Sequence, residues 1–201
     1  MSSIPVALSL LTIAAGVCVS ASAAGAATDP RVEAFRSACI EDRQDFEALK
    51  HRALTEGWAP VHAGVNAELD AMMERAAEAE FDPGTTALLE SYLKAVAGND
   101  AFLVLTSLAS PQVDIVGCYV YDFEATAPIP PSVISDWLGV PPSDTIDEPE
   151  IIIGYTWETP EQLPGTWDIY LAYLPEGGGA SHIAGFSGVL IKITSVDPKE
   201  E

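Results

Sequence analysis

The stretch at residues 114–124, with the sequence DIVGCYVYDFE, limits the possible folds of this chain more than any other. In a β-strand successive side chains point to opposite faces, and this stretch would carry apolar residues on both. The two faces hold, respectively, Val116, Cys118 and Val120, and Ile115, Tyr119, Tyr121 and Phe123. A strand with one solvent-exposed face would instead show polar residues at alternate positions. The pattern therefore predicts a central strand, with its cysteine face against a helical layer and its aromatic face against a second packing partner or a pocket.

The first 27 residues contain no charged side chain, and they predict a secretory signal peptide. An apolar run at residues 4–19 precedes a series of small residues that offers a signal peptidase two alternative sites. The run is short and is interrupted by polar residues, which argues against a membrane span. We therefore expect export to the periplasm or the medium, with a single α+β domain at residues 28–196 and a flexible tail at residues 197–201.

Removal of the leader would also remove Cys18 and would leave two cysteines, Cys39 and Cys118. An even pair of cysteines in an oxidising compartment predicts a disulfide bond. Closing a loop of roughly 80 residues would remove denatured-chain entropy equivalent to about 4–5 kcal/mol. Two separate buried thiols are the alternative. A zinc site is disfavoured because two cysteines without neighbouring histidines do not complete its ligand set.

The formal net charge of −21 falls entirely outside the leader. A surface of this charge repels phosphate backbones and anionic lipids, so we expect neither nucleic acid nor a membrane surface as a partner. The charge is compatible with a basic protein partner, with divalent cations, or simply with solubility.

Helical patterns dominate the first part of the mature chain. Asp29 and Pro30 predict a helix start, and apolar residues then recur at helical spacing as far as Ala53, with Cys39 among them. A second helix is predicted at residues 64–80. Residues 85–97 fit either a third helix or one strand of a hairpin, and the sequence leaves this choice open.

Strand patterns dominate the rest of the chain. A strand at residues 101–108 should pair antiparallel with the stretch at 114–124, and a short helix follows at residues 131–139. Residues 141–149 read as an exposed acidic loop. Three further strands in a meander are predicted at residues 151–157, 166–174 and 185–195. The fold class is thus α+β, with an antiparallel sheet of five to six strands, two N-terminal helices packed on one face and a short helix inserted between strands.

Two resemblances accompany this element order. The residues Phe35, Cys39, Phe46, the pair Gly57-Trp58, and Cys118 resemble those of a set of small exported bacterial proteins of uncharacterised function. This resemblance implies no activity. The order strand-strand-helix-strand-strand-strand is similar to that of the profilin-like family of small sensory and binding folds.

No catalytic or metal-binding motif stands out from the sequence. The histidines at positions 51, 62 and 182 lack the spacing of a helical metal site, and we expect no metal and no cofactor. Nothing in the sequence fixes Ser187, His182 and Asp168 as a catalytic triad.

Aromatic residues at alternate strand positions are the best candidate for a binding site. If the strand faces coincide, they form one broad surface, which the short helix either covers as ordinary core or leaves as an apolar pocket. The residues expected to face a ligand are Tyr119, Tyr121, Phe123, Trp137, Tyr155 and Trp157. We therefore predict a non-enzymatic domain that binds a small molecule or a protein. An acidic inhibitor of a basic extracellular enzyme and a hydrolase with an unrecognised site are the alternatives.

Overall fold

The computed structural model describes residues 28–199, and it shows an α+β fold with one antiparallel sheet. The strands in this part of the chain are β1 Ala59–Pro60, β2 Thr86–Val96, β3 Asn99–Ala109, β4 Val113–Asp122, β5 Asp144–Glu148, β6 Ile152–Glu158, β7 Thr166–Leu174 and β8 Gly188–Pro198. The helices are α1 Pro30–Cys39, α2 Phe46–Thr55, α3 Ala67–Ala77, α4 Ser132–Leu138 and α5 Gly179–Ala184. The predicted fold class is confirmed, but the sheet has eight strands where five to six were expected.

The strands lie across the sheet in the order β1-β2-β3-β4-β8-β7-β6-β5. Residues 114–122 of the stretch at 114–124 therefore form an interior strand, as predicted, with β3 on one side and β8 on the other, whereas Phe123 and Glu124 lie in the turn after β4. The predicted meander of the last three strands is also present, because β6 pairs with β7 and β7 pairs with β8. Strand β8 pairs with both β4 and β7, and it thereby joins strands β1–β4 to strands β5–β7 in one sheet.

Helices α1, α2 and α4 cover the face of the sheet that carries Cys118. Phe35 of α1, Leu49 of α2 and Ile134 of α4 are fully buried there. Cys39 at the end of α1 forms the predicted disulfide with Cys118, and their Cα atoms are 5.6 Å apart. The bond attaches the helical layer to the middle of the sheet.

The first predicted helix is divided into two in the structure. Helix α1 ends at Cys39, and Asp45 starts α2 by accepting a hydrogen bond from the amide of Ala48 at 3.0 Å. An aspartate at this position stabilises a new helix start and favours the break. Arg52 of α2 folds back to bind Asp42 in the connection at 2.6 Å. Each short helix can thus direct its own apolar residues to the sheet.

The predicted packing of both N-terminal helices on one face is wrong. Helices α1 and α2 lie on the cysteine face, whereas α3, which corresponds to the second predicted helix, lies on the opposite face. Leu69 of α3 packs there with Phe102 and Tyr121. Strand β1 pairs with the outer edge of β2. The chain therefore passes around this edge of the sheet, from α2 on the cysteine face to α3 on the opposite face.

Residues 85–97 form a strand of a hairpin and not a helix. Strand β2 pairs with β3 along its whole length. Ala97 and Gly98 form the turn with φ angles of 56° and 95°, and two successive positive φ angles are typical of the turns that match the twist of a hairpin. The other unexpected strands are β1 and β5, of which β5 occupies the acidic segment predicted as a loop.

The C-terminal end of β8 differs from the predicted flexible tail. The strand continues through Pro198 because Asp197 and Pro198 still pair with β4, and Lys199 binds Asp114 at 2.8 Å. The predicted signal peptide and residues 200–201 lie outside the described residues. None of the helices between residues 28 and 199 is long and apolar enough to cross a membrane.

Candidate functional site

The six residues predicted to face a ligand lie on opposite faces of the sheet. Tyr119, Tyr121 and Phe123 project from the face covered in part by α3, whereas Trp137, Tyr155 and Trp157 belong to the cysteine face. The strand register explains this separation. Tyr155 aligns across the sheet with Leu171, Ile191 and finally Val120, which is a neighbour of Cys118 on that face.

The cysteine-face aromatic residues are part of the packing beneath the helices. Trp157 is 1% exposed, and Trp137 of α4 packs below the guanidinium of Arg36, which lies 5.0 Å from its ring centre. No pocket can join Tyr121 to Trp137, because the sheet itself lies between them.

At one end of the other face, a cluster of aromatic rings is buried by α3 and by the segment after α5. Its members are Phe102, Tyr121, Phe123 and Phe186. The rings of Tyr121 and Phe186 meet edge to face with centres 5.3 Å apart, an arrangement that favours stable packing. Burial, followed by the neighbouring Tyr119, raises the pKa of Tyr121, so its hydroxyl stays protonated. This end of the face is ordinary core.

Beyond that cluster the same face is only half covered, and three of its residues form what we call the tyrosine–lysine row. Tyr119 on β4 pairs with Lys192 on β8, and Lys192 pairs with Tyr170 on β7. All three side chains are partly exposed. Because neighbouring strands are about 4.8 Å apart, the two tyrosine backbones are separated by about 10 Å. The backbone of a cationic residue, Lys192 on β8, therefore lies between those of two tyrosines, one on each neighbouring strand.

Glycines beneath the two tyrosines let their rings lie against the sheet. A Cβ atom added to Gly117 would come within 2.6 Å of Cε2 of Tyr119, and one added to Gly154 within 2.9 Å of the Tyr170 hydroxyl. Both contacts are too close for a real side chain, so each ring occupies the space that glycine leaves open.

The polar groups in and beside the row differ in whether they have a hydrogen-bond partner. Nζ of Lys192 lies 2.8 Å from Oδ2 of Asp168 and 5.8 Å from the centre of the Tyr170 ring. Oδ1 of Asp168 is buried and accepts no hydrogen bond from the described residues. Burial, followed by the charge of Asp144, raises the pKa of Tyr170, so its hydroxyl remains a donor at neutral pH. The row can thus offer the Lys192 ammonium, the Tyr170 hydroxyl and two partly exposed aromatic rings to a ligand.

A cleft of about 570 Å³ opens between α3 and the β1–β2 edge of the sheet. Val61, Leu69 and Met73 contribute apolar surface, and His62 and Asp70 contribute polar groups. The volume is within the range of sites for small molecules. Ser91, which also lines the cleft, aligns through Val104 with Tyr119, so the cleft opens at the same level of the sheet as the row.

The structure does not assemble a catalytic triad from Ser187, His182 and Asp168. The amide and hydroxyl of Ser187 both donate to Oε1 of Glu68, at 2.9 and 3.3 Å, and Asp168 binds Lys192. No hydrogen bond joins the His182 side chain to either residue in the part of the chain described here. Between residues 28 and 199, no three histidine, cysteine, aspartate or glutamate side chains form a group that could hold a metal ion.

Sequence reasoning named Tyr119 as a candidate but missed Lys192 and Tyr170. One signal was present in the sequence, because Lys192 interrupts the apolar run at residues 189–193. A charged residue in such a strand needs a partner, and that need points to a polar site. The partner itself, Asp168, follows only from the pairing of β7 with β8.

Comparison with known proteins adds no assignment to this geometry. No family model matches the chain, and no match was found among the curated proteins or the solved structures.

Proposed function

We propose that this protein is an exported, non-enzymatic binding domain whose half-covered sheet face takes a neutral, polyhydroxylated ligand such as a sugar. The observation that carries the proposal is the tyrosine–lysine row, in which Lys192 lies between Tyr119 and Tyr170 and is held by Asp168. Export is supported by the disulfide, since such bonds persist mainly in oxidising compartments.

The charges around the row favour a neutral ligand. A cation would be repelled by the Lys192 ammonium, and an anion would be repelled by Asp168 and by the net charge of −21. A ligand with both hydroxyl donors and acceptors can instead accept from the Lys192 ammonium and exchange hydrogen bonds with the Tyr170 hydroxyl, both of which belong to partly exposed side chains.

The two tyrosine rings favour a ligand with flat apolar faces. The face of an aromatic ring carries negative potential, which attracts the weakly positive C–H groups on one side of a sugar ring. Because the tyrosine backbones are about 10 Å apart, a chain of several sugar rings would contact both tyrosines better than a single ring. The cleft beside α3 offers room for a further substituent.

Isothermal titration calorimetry with a panel of neutral mono- and oligosaccharides tests this proposal. Saturable binding is expected, and replacing Tyr119 and Tyr170 together by alanine should weaken it about tenfold or more, because each stacked ring contributes about 0.5–1.5 kcal/mol. Tyr155→Ala, on the opposite face, is the matched control and should leave the affinity unchanged. Absence of binding across the panel, or loss of binding only in the Tyr155 variant, would contradict the proposal.

The other interpretations of the sequence stay predictions. The geometry around Ser187 and Asp168 offers no support for a hydrolase. The resemblance to small exported bacterial proteins implies no activity, and the similarity to the profilin-like family rests on element order alone.

A further inference from the structure

Strand β5 forms an open edge of the sheet. All five residues of Asp144–Glu148 are exposed, and the strand pairs with β6 on one side only. At the other end of the sheet, β1 has two residues, one of which is Pro60 and lacks an amide hydrogen. Among the described residues, β5 is therefore the longer edge and the one better able to pair with another strand.

The outer side of β5 presents backbone hydrogen-bonding groups. In an antiparallel pair, alternate residues direct their N–H and C=O groups away from the neighbouring strand. The amide of Thr145 agrees with this arrangement, because it donates to Oδ1 of its neighbour Asp144 at 2.9 Å. The same alternation directs the groups of Asp147 outward. An incoming strand could take up these groups.

The charge around this edge is of one sign. Residues 95–181 contain thirteen aspartate and glutamate residues and no lysine, arginine or histidine. On β5 itself, Asp144 and Glu148 lie on one face and Asp147 on the other, because strand side chains alternate. Ile146, 37% exposed, lies between the first two carboxylates and offers an apolar contact.

We propose that the β5 edge binds an extended, lysine- or arginine-rich segment of a basic partner protein, which adds to the sheet as a ninth strand. Backbone hydrogen bonds would hold the segment, and its cations would pair with the three carboxylates of β5. A second copy of this chain is disfavoured, because it would bring the same carboxylates to the same edge. This edge adjoins the tyrosine–lysine row, because Asp144 aligns through Thr156 with Tyr170, but its backbone groups lie on the far side of β5 and the proposal does not depend on the sugar-binding proposal.

Fluorescence anisotropy with three labelled ten-residue peptides tests the proposed edge. The alternating Lys-Thr peptide is expected to bind, with an affinity that falls as salt is raised. The Lys-Pro peptide has the same charge but cannot pair as a strand, so it should bind about tenfold more weakly or worse. The Glu-Thr peptide should not bind.

Two pairs of variants separate backbone pairing from charge. Thr145→Pro removes the outward amide without touching the pairing with β6 and should abolish the preference for Lys-Thr over Lys-Pro, whereas Thr145→Val keeps that amide and the preference. The triple variant D144N/D147N/E148Q should weaken Lys-Thr binding about tenfold. Its control, E74Q/E78Q/E80Q, makes the same change of charge at α3 and the segment after it, and should retain the affinity.

Either of two results would overturn the proposal. The first is no binding of the Lys-Thr peptide, and the second is equal binding of the Lys-Thr and Lys-Pro peptides, which would indicate charge attraction without strand addition. Because the triple variant keeps every backbone group, it still tests the edge if Thr145→Pro does not fold.

Discussion

Lys192 shows how a single residue can mark a site within a core strand. Its neighbours Ile191 and Ile193 are buried on the other face, whereas the lysine side chain is 26% exposed and the Asp168 side chain that it binds is 13% exposed. Removing charges this far from water has a cost that is recovered only when the two partners stay together. Each of the two residues therefore depends on the other.

The first prediction follows from this dependence. Lys192→Met should lower the free energy of unfolding by about 1–2 kcal/mol, because it leaves the half-buried Asp168 without its cation. Asp168→Asn in the same chain should restore most of the loss. Urea unfolding of the wild type, both single variants and the double variant provides the comparison. Additive losses in the double variant would mean that the two side chains act independently.

At the scale of elements, the helices on the two faces of the sheet bury different numbers of residues. Helices α1 and α2 bury many residues on the cysteine face, including Phe35 and Leu49. Leu69 is the one fully buried residue of α3 on the opposite face. Hydrogen bonds near the two ends of α3 give further support. Glu68 accepts a hydrogen bond from the amide of Ser187, and Arg75 donates one to the carbonyl of Ala184 at 2.7 Å. Helix α3 should therefore open more readily than the rest of the fold.

The second prediction concerns this helix. Leu69→Ala should lower the protection of the α3 amides against hydrogen exchange by about 10- to 100-fold and leave the β4 amides protected, because the opening is local. Leu49→Ala is the matched control, and its loss of packing on the cysteine face should lower protection across the sheet. Equal loss in α3 and β4 on changing Leu69 would show that α3 unfolds together with the sheet.

At the scale of the whole molecule, short sequence patterns predicted the type of individual elements. The pairing of strands distant in sequence determined which residues share a face of the sheet. The strand character of residues 114–122 followed from alternation, and the disulfide followed from the parity of the cysteines. The division of the aromatic residues between two faces did not follow, because Tyr155 is assigned to a face by strand register, which depends on residues distant in sequence. For the same reason, β5 was predicted as a loop, since only its pairing with β6 makes it a strand.

The third prediction belongs to the molecule as a whole, because the disulfide links the helical layer to an interior strand. Replacing Cys39 and Cys118 together by alanine should lower the free energy of unfolding by about 3–5 kcal/mol, since the bond closes a loop between residues 79 positions apart. Urea unfolding with and without a reductant tests this effect, and the reductant should affect only the wild type. A loss below about 1 kcal/mol would show that packing alone determines the stability.

We propose that the half-covered face of the sheet is the ligand-binding face. Two-dimensional amide NMR during titration with a neutral oligosaccharide tests it most directly, because every strand reports separately. We expect shifts that centre on Tyr119, Tyr170 and Lys192 and spare Tyr155 and Trp157. Saturable shifts centred on Tyr155 and Trp157, or no shifts with any neutral oligosaccharide, would contradict it.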